Sequence, residues 1–122
     1  MSLKKVAFLC LLVLGFSTHL YSQILEPVKW ESEVERISET EYRLIFTANI
    51  EDGWYIYSQT PTSEDSFAPT TYFEYAQGEQ DYELIGKTTE PKVAPVFDEI
   101  FEEDVVKFKG KVPFTQKITV LE

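Results

Sequence analysis

Residues Tyr42 to Ile50 alternate with a period of two. Tyr42, Leu44, Phe46, Ala48 and Ile50 fall on one side, and Arg43, Thr47 and Asn49 fall on the other. Successive side chains of an extended backbone point to opposite faces, so this pattern marks a strand buried on one face. The same period governs most of the chain. Val28 to Ile37 sets Trp30, Ser32 and Val34 against Glu31, Glu33 and Glu35. Lys111 to Leu121 sets Val112, Phe114, Ile118 and Val120 on one face, with Gln116 interrupting. Pro69 to Tyr75 is predicted as a strand with Thr71, Phe73 and Tyr75 together. Tyr82 to Lys87 and Val105 to Phe108 read as shorter strands. Nothing in the sequence has a convincing helical period. Regular short strands separated by turn signals predict an all-β sandwich.

The turns supply more detail. Asp52-Gly53 is a strong hairpin signal, and Gly53 is expected at positive φ. Trp54 to Ser58 is then expected to return as the partner of the preceding strand. Its Trp54/Ile56 and Tyr55/Tyr57 faces are both apolar, which predicts a central or covered position. Gln59 to Ala68 reads as a surface loop broken by Pro61, and Ala76 to Asp81 as a turn around Gly78. Thr88 to Asp104, with Pro91 and Pro95, is long for a connection in a small domain; such segments are usually functional or disordered. Trp30, Phe46 and Trp54 are expected to be buried, because each shares a face with other apolar residues. The apolar alternation continues to Leu121, one residue before the sequence ends. The sandwich is therefore expected to be incomplete at its C-terminus, with the strand Lys111 to Leu121 left as an unpaired edge.

The first residues read as a secretory signal peptide. Lys4 and Lys5 precede an apolar run from Val6 to Phe16, which is too short to span a bilayer. Cleavage is expected after Ser22, giving a signal peptide over 1–22 and one domain over 23–122. Gly15-Phe16-Ser17 offers an alternative site. The predicted location is the periplasm, and nothing downstream of Gln23 is apolar and long enough for a membrane span. The chain has 11 basic and 21 acidic residues, and two of the bases lie in the export segment. A surface this acidic disfavours nucleic acid and anionic lipid.

The single cysteine and single histidine, Cys10 and His19, also lie in the export segment. The expected mature chain thus has no thiol, no imidazole and no disulfide, which removes the commonest nucleophile and general base. Aromatic packing has to supply the core instead. No cofactor is expected. The acidic stretch Asp98-Glu99 and Glu102-Glu103-Asp104 lacks the alternate spacing and central glycine of a calcium loop. Trp54, Tyr55 and Tyr57 suit a sugar or peptide surface, although core packing explains them equally well.

The order of motifs resembles the N-terminal periplasmic domain of the thiol:disulfide interchange protein DsbD. The similar pieces are Asp52-Gly53-Trp54-Tyr55-Ile56-Tyr57, then Gly86-Lys87, Phe97-Asp98-Glu99-Ile100-Phe101, Val105 to Phe108, and Val112-Pro113-Phe114 to Ile118. The opening Ile24-Leu25-Glu26-Pro27-Val28-Lys29-Trp30 is similar to related exported domains. The resemblance implies an immunoglobulin-like sandwich that passes electrons to periplasmic partners, including thioredoxin-like proteins, by thiol-disulfide exchange. It implies a cap loop at Asp98, Glu99, Ile100 and Phe101 that shields a cysteine pair. Ile100 stands where the family has an aromatic residue, and Phe101 is the aromatic beside it. Tyr55 and Tyr57 are candidates for a partner-facing surface. The family's cysteine hairpin would follow Leu121, in a C-terminal segment of the same reductase. Without it, this chain is expected to be redox-inert, with no catalytic residue of its own. An exported sandwich that binds protein or carbohydrate is the alternative.

Overall fold

The computed structural model describes residues 25–76 and 81–121. Every regular element among them is a strand, every strand pair is antiparallel, and the fold is all-β. The expected signal peptide and the turn around Gly78 lie outside the described residues.

The main sheet has four strands in the order β1-β2-β8-β4. They are β1 (Val28–Arg36), β2 (Glu41–Ile50), β8 (Lys111–Val120) and β4 (Tyr82–Thr89). β1 and β2 form a hairpin whose loop is closed by Ser38. Its Oγ accepts the Glu41 N–H at 3.0 Å, and its own N–H donates to the Glu41 carbonyl at 3.1 Å. Register places Trp30 opposite Ala48 and Ala48 opposite Val112; Ser32 faces Phe46, and Phe46 faces Phe114. The even-numbered residues of these three strands therefore form one continuous inner face, as their alternation predicts.

The inner face is covered at one end by β3 (Ile56–Tyr57), paired with β7 (Lys107–Phe108), and by the segment around Phe73. Ala48, Ile50, Phe108, Val112 and Phe114 form the buried core, with Val28, Phe46, Ile56, Phe73 and Val106 packed around it. Phe73 stacks on Phe46 at 5.4 Å and lies 5.1 Å from Phe114, while Phe108 meets Phe114 edge-on at 5.9 Å. Offset and edge-to-face contacts of this kind stabilise beyond simple area burial. A third strand pair, β5 (Val96–Asp98) with β6 (Glu103–Val105), forms a small separate sheet.

Several expectations are corrected. The turn at Asp52-Gly53 forms: Gly53 has φ of 86°, and the Trp54 N–H donates to the Glu51 carbonyl at 3.0 Å. It does not make a hairpin, however. β3 leaves β2 and pairs with β7, because both sides of β2 are taken by β1 and β8. The strand 111–121 is central rather than an unpaired edge, with β2 on one side and β4 on the other. Residues 69–75 form no strand, although Thr71, Phe73 and Tyr75 do share a half-buried side. Trp30 and Trp54 are not buried; they are 47% and 45% exposed. Trp30 lies on the edge strand with the Phe73 and Phe114 rings beside it, and Trp54 sits in the turn before β3 begins. Phe46 is half-buried.

Gln116, the polar interruption in β8, is buried and fully engaged. Its Nε2 donates to the carbonyls of Ile85, Gly86 and Lys117, and its Oε1 accepts from Thr88 Oγ1 at 2.8 Å. The Thr88 proton is thereby committed, so in the 2.7 Å contact between Tyr75 and Thr88 the tyrosine must donate. The chain stitches β8 to β4 just where β4 is irregular, between Ile85 and Thr89.

Candidate functional site

The segment Thr88 to Asp104, too long for a plain connection, contains the β5–β6 hairpin. Asp98 pairs with Glu103 at its end, and Glu99 to Glu102 form the tip. Glu102 closes this tip with φ of 54°, the left-handed region that few non-glycine residues occupy.

Asp98 organises the tip from inside. It is 1% exposed. Its Oδ1 accepts the backbone N–H of Ile100 at 2.7 Å and of Phe101 at 3.1 Å, the arrangement of an Asx turn. Its Oδ2 meets Lys107 Nζ at 2.9 Å and accepts a long hydrogen bond from the Tyr57 hydroxyl at 3.4 Å. Lys107 comes from β7 and Tyr57 from β3, so one carboxylate ties the hairpin tip to the neighbouring two-stranded sheet. Burial of a carboxylate is costly unless it is paired and hydrogen-bonded, and here both oxygens are engaged.

The surrounding groups are aromatic. Lys107 Nζ lies 4.2 Å from the centre of the Tyr55 ring, a cation–π contact. Tyr55 meets Tyr57 edge-on at 5.4 Å, and Tyr57 meets Phe101 edge-on at 6.2 Å. Gly53, Trp54, Tyr55 and Tyr57 line an open recess beside this cluster.

The electrostatics follow from the contacts. The hydrogen bond from Lys107 holds Asp98 below the usual carboxylate range; the amides of Phe101 and Ile100 act in the same direction, against the opposing effect of burial. The Asp98 carboxylate in turn raises Lys107, again against burial. Burial, with Tyr55 and Asp98 nearby, pushes Tyr57 well above the ordinary tyrosine value. At neutral pH the cluster thus holds a carboxylate, an ammonium and a neutral phenol. None is poised near neutrality to exchange a proton. The arrangement suits holding a shape rather than performing acid–base chemistry.

Of the residues nominated from the sequence, Asp98, Phe101, Tyr55 and Tyr57 are brought together. Glu99 and Ile100 are exposed at the tip, so the adjacent carboxylates Asp98 and Glu99 do not act as a pair. Lys107 was not nominated. Its signal is a lone charge inside the apolar run Val105-Val106-Lys107-Phe108, which a strand buried on both sides tolerates only with a partner. Phe97 and Val96, 62% and 50% exposed, add to the 75% exposed Ile100 to make the hairpin an apolar surface feature.

A second polar cluster follows β3 in the chain. Ser58 Oγ donates to Glu90 Oε2 at 2.6 Å, and the Gln59 N–H donates to Glu90 Oε1 at 2.9 Å. Ser58 and Gln59 thus clasp the loop after β3 to Glu90, just beyond the end of β4. Among the described residues, no three of His, Cys, Asp or Glu stand together as a metal site, and no helix is long and apolar enough to cross a membrane.

Comparison with protein-family models, with curated proteins and with solved structures gives no match.

Proposed function

We propose that this chain is an exported protein-docking domain related to the N-terminal domain of DsbD. Its β5–β6 hairpin is the part that meets a thioredoxin-like partner. One observation carries this reading: Phe97 and Ile100 project into solvent from a hairpin whose tip is pinned by the buried Asp98. Exposed apolar side chains on a fixed support suit recognition, since little order is lost when a partner closes on them. The hairpin is also the segment that the family resemblance assigns to the cap loop. The packing of the main sheet against β3–β7 and Phe73 is compatible with an immunoglobulin-like sandwich.

In this reading the chain's own residues bind and orient. Thiol-disulfide exchange needs a cysteine pair, and the only cysteine here is Cys10 in the export segment. Electron transfer would therefore rely on cysteines outside residues 1–122. The acidic surface would steer the domain towards partners with basic rims.

The test is a titration of the isotopically labelled chain with a periplasmic thioredoxin-like protein, followed by NMR. Shifts centred on Phe97, Ile100 and Phe101 are expected, and Phe97→Asp or Ile100→Asp should weaken binding at least tenfold. Absence of binding, or binding unaffected by either substitution, would overturn the assignment.

The alternative, an exported carbohydrate-binding module, has its own observation. Trp54 is 45% exposed beside Tyr55 and Tyr57 in an open recess, a geometry on which a sugar ring can stack. Quenching of tryptophan fluorescence by soluble oligosaccharides, lost in Trp54→Ala, would favour that reading.

A further inference from the structure

We infer that Lys107 and Tyr57 are positioning residues for the hairpin tip, the two halves of a catch in which Asp98 is the latch. The β5–β6 sheet shares no strand pairing with the other two sheets. Its tip is held instead by side chains. Asp98 Oδ1 fixes the backbone of Ile100 and Phe101 from within the hairpin. Asp98 Oδ2 reaches outward to Lys107 on β7 and Tyr57 on β3. The same carboxylate thus sets the shape of the tip with one oxygen and its placement with the other. Phe101 packing edge-on against Tyr57 seals the junction on the apolar side.

The rest of the hairpin is fastened further back, at the opposite strand. Ser66 Oγ bonds to Glu103, and Thr62 Oγ1 donates to the Asp104 carbonyl at 2.6 Å. Those contacts hold the β6 side to the loop after β3. They do not reach Ile100. With the catch broken, the tip is free to move about its β6 attachment while the main sheet, which shares none of these side chains, stays folded. The charge on Lys107 is specific to this role. It is held between the Tyr55 ring and the Asp98 carboxylate, 18% exposed at its side chain, and has no other ion-pair partner among the described residues.

What the tip is for rests on the docking reading above. The latch itself does not, and hydrogen exchange tests it without any partner. In the whole chain, Lys107→Met keeps an unbranched side chain, one heavy atom shorter, and removes the charge together with the N–H donors that bond Asp98. Amide exchange at Ile100 and Phe101 is expected to rise at least tenfold, with Phe114 and Gln116 on β8 unchanged. Lys107→Arg should restore most of the protection. Unchanged protection at Ile100 and Phe101 would overturn the inference. So would a loss shared equally by β8, since Lys107 would then be an ordinary part of one cooperative fold. If Lys107→Met does not fold, exchange of the unmodified protein in rising denaturant decides. A latch predicts that Ile100 and Phe101 open locally, ahead of β8. Opening of the tip and β8 together would refute it. Failure of partner binding with a confirmed local opening would remove the docking role and leave the latch intact.

Discussion

Gly53 turns the chain after β2 with φ of 86°, a left-handed conformation that few non-glycine residues adopt. A Cβ at Gly53 would meet nothing within 4 Å, so substitution there tests backbone strain alone. Gly53→Val should cost about 1–3 kcal/mol, and Gly53→Asn clearly less, since asparagine enters the left-handed region more readily. Denaturant midpoints of the two variants check this ordering. The partner of Asp98 was not legible in the sequence, because an ion pair between residues 98 and 107 depends on how the β5–β6 hairpin docks against the β3–β7 pair. Its pH signature follows from the direction of each shift. Asp98 is depressed in the fold, so its contribution is complete above the ordinary 3.8 and disappears as pH falls through the lowered value. Lys107 is raised, so its contribution is complete below 10.5 and is lost as pH rises through the raised value. The difference in melting temperature between the native protein and Asp98→Asn should therefore be constant near neutrality and shrink below pH 3.8. A difference that stays constant in acid would show that the pair does not stabilise the fold.

At the scale of elements, face periodicity was legible and strand pairing was not. The inner residues of β2 and β8 were assigned to the correct face, since alternation is a local property. Which strands become neighbours is decided by contacts far apart in sequence. β8 lies between β2 and β4, and the sequence offers only one hint of this: β8 is apolar or engaged at every inner position, including Gln116. Phe114, at the centre of that strand and fully buried, should be the most costly aromatic to truncate. Phe114→Ala should cost about 3–5 kcal/mol, whereas Trp30→Ala and Trp54→Ala, about half exposed, should cost distinctly less. Equal losses in urea denaturation would contradict the layering described. The amides of β8 should also exchange most slowly in the protein, as expected for a strand bonded on both sides. The hairpin β5–β6 escaped the sequence reading because three-residue strands are too short to establish a period.

For the molecule as a whole, the cover over the main sheet is uneven. β3–β7 and Phe73 close the end of the inner face that holds Ala48, Val112 and Phe114. At the other end the same face carries Val34, 68% exposed on β1, Leu84, 43% exposed on β4, and Val120, 38% exposed on β8. Register sets Val34 beside Leu44 and Leu44 beside Gln116; one step further, Tyr42 faces Ile118 and Ile118 faces Leu84. These side chains follow the inward pattern of the sequence, yet meet solvent where the second layer stops. The sheet's other side mixes Lys29, Glu31, Glu33 and Glu35 with Arg43, Lys111 and Lys117, and the Glu35–Arg43 pair at 2.9 Å belongs to it. Three glutamates along β1 discourage edge-to-edge pairing through that strand. The uncovered apolar end is a different matter, since it is a face rather than an edge. A hydrophobic dye such as ANS should bind the native protein there, with fluorescence that falls in Val34→Thr and Leu84→Thr. Because both side chains are substantially exposed, these substitutions should leave the denaturant midpoint nearly unchanged, in contrast to Phe114→Ala. Dye fluorescence that persists in the double variant would place the exposed apolar surface elsewhere, with Phe97 and Ile100 at the β5–β6 tip the first alternative to substitute.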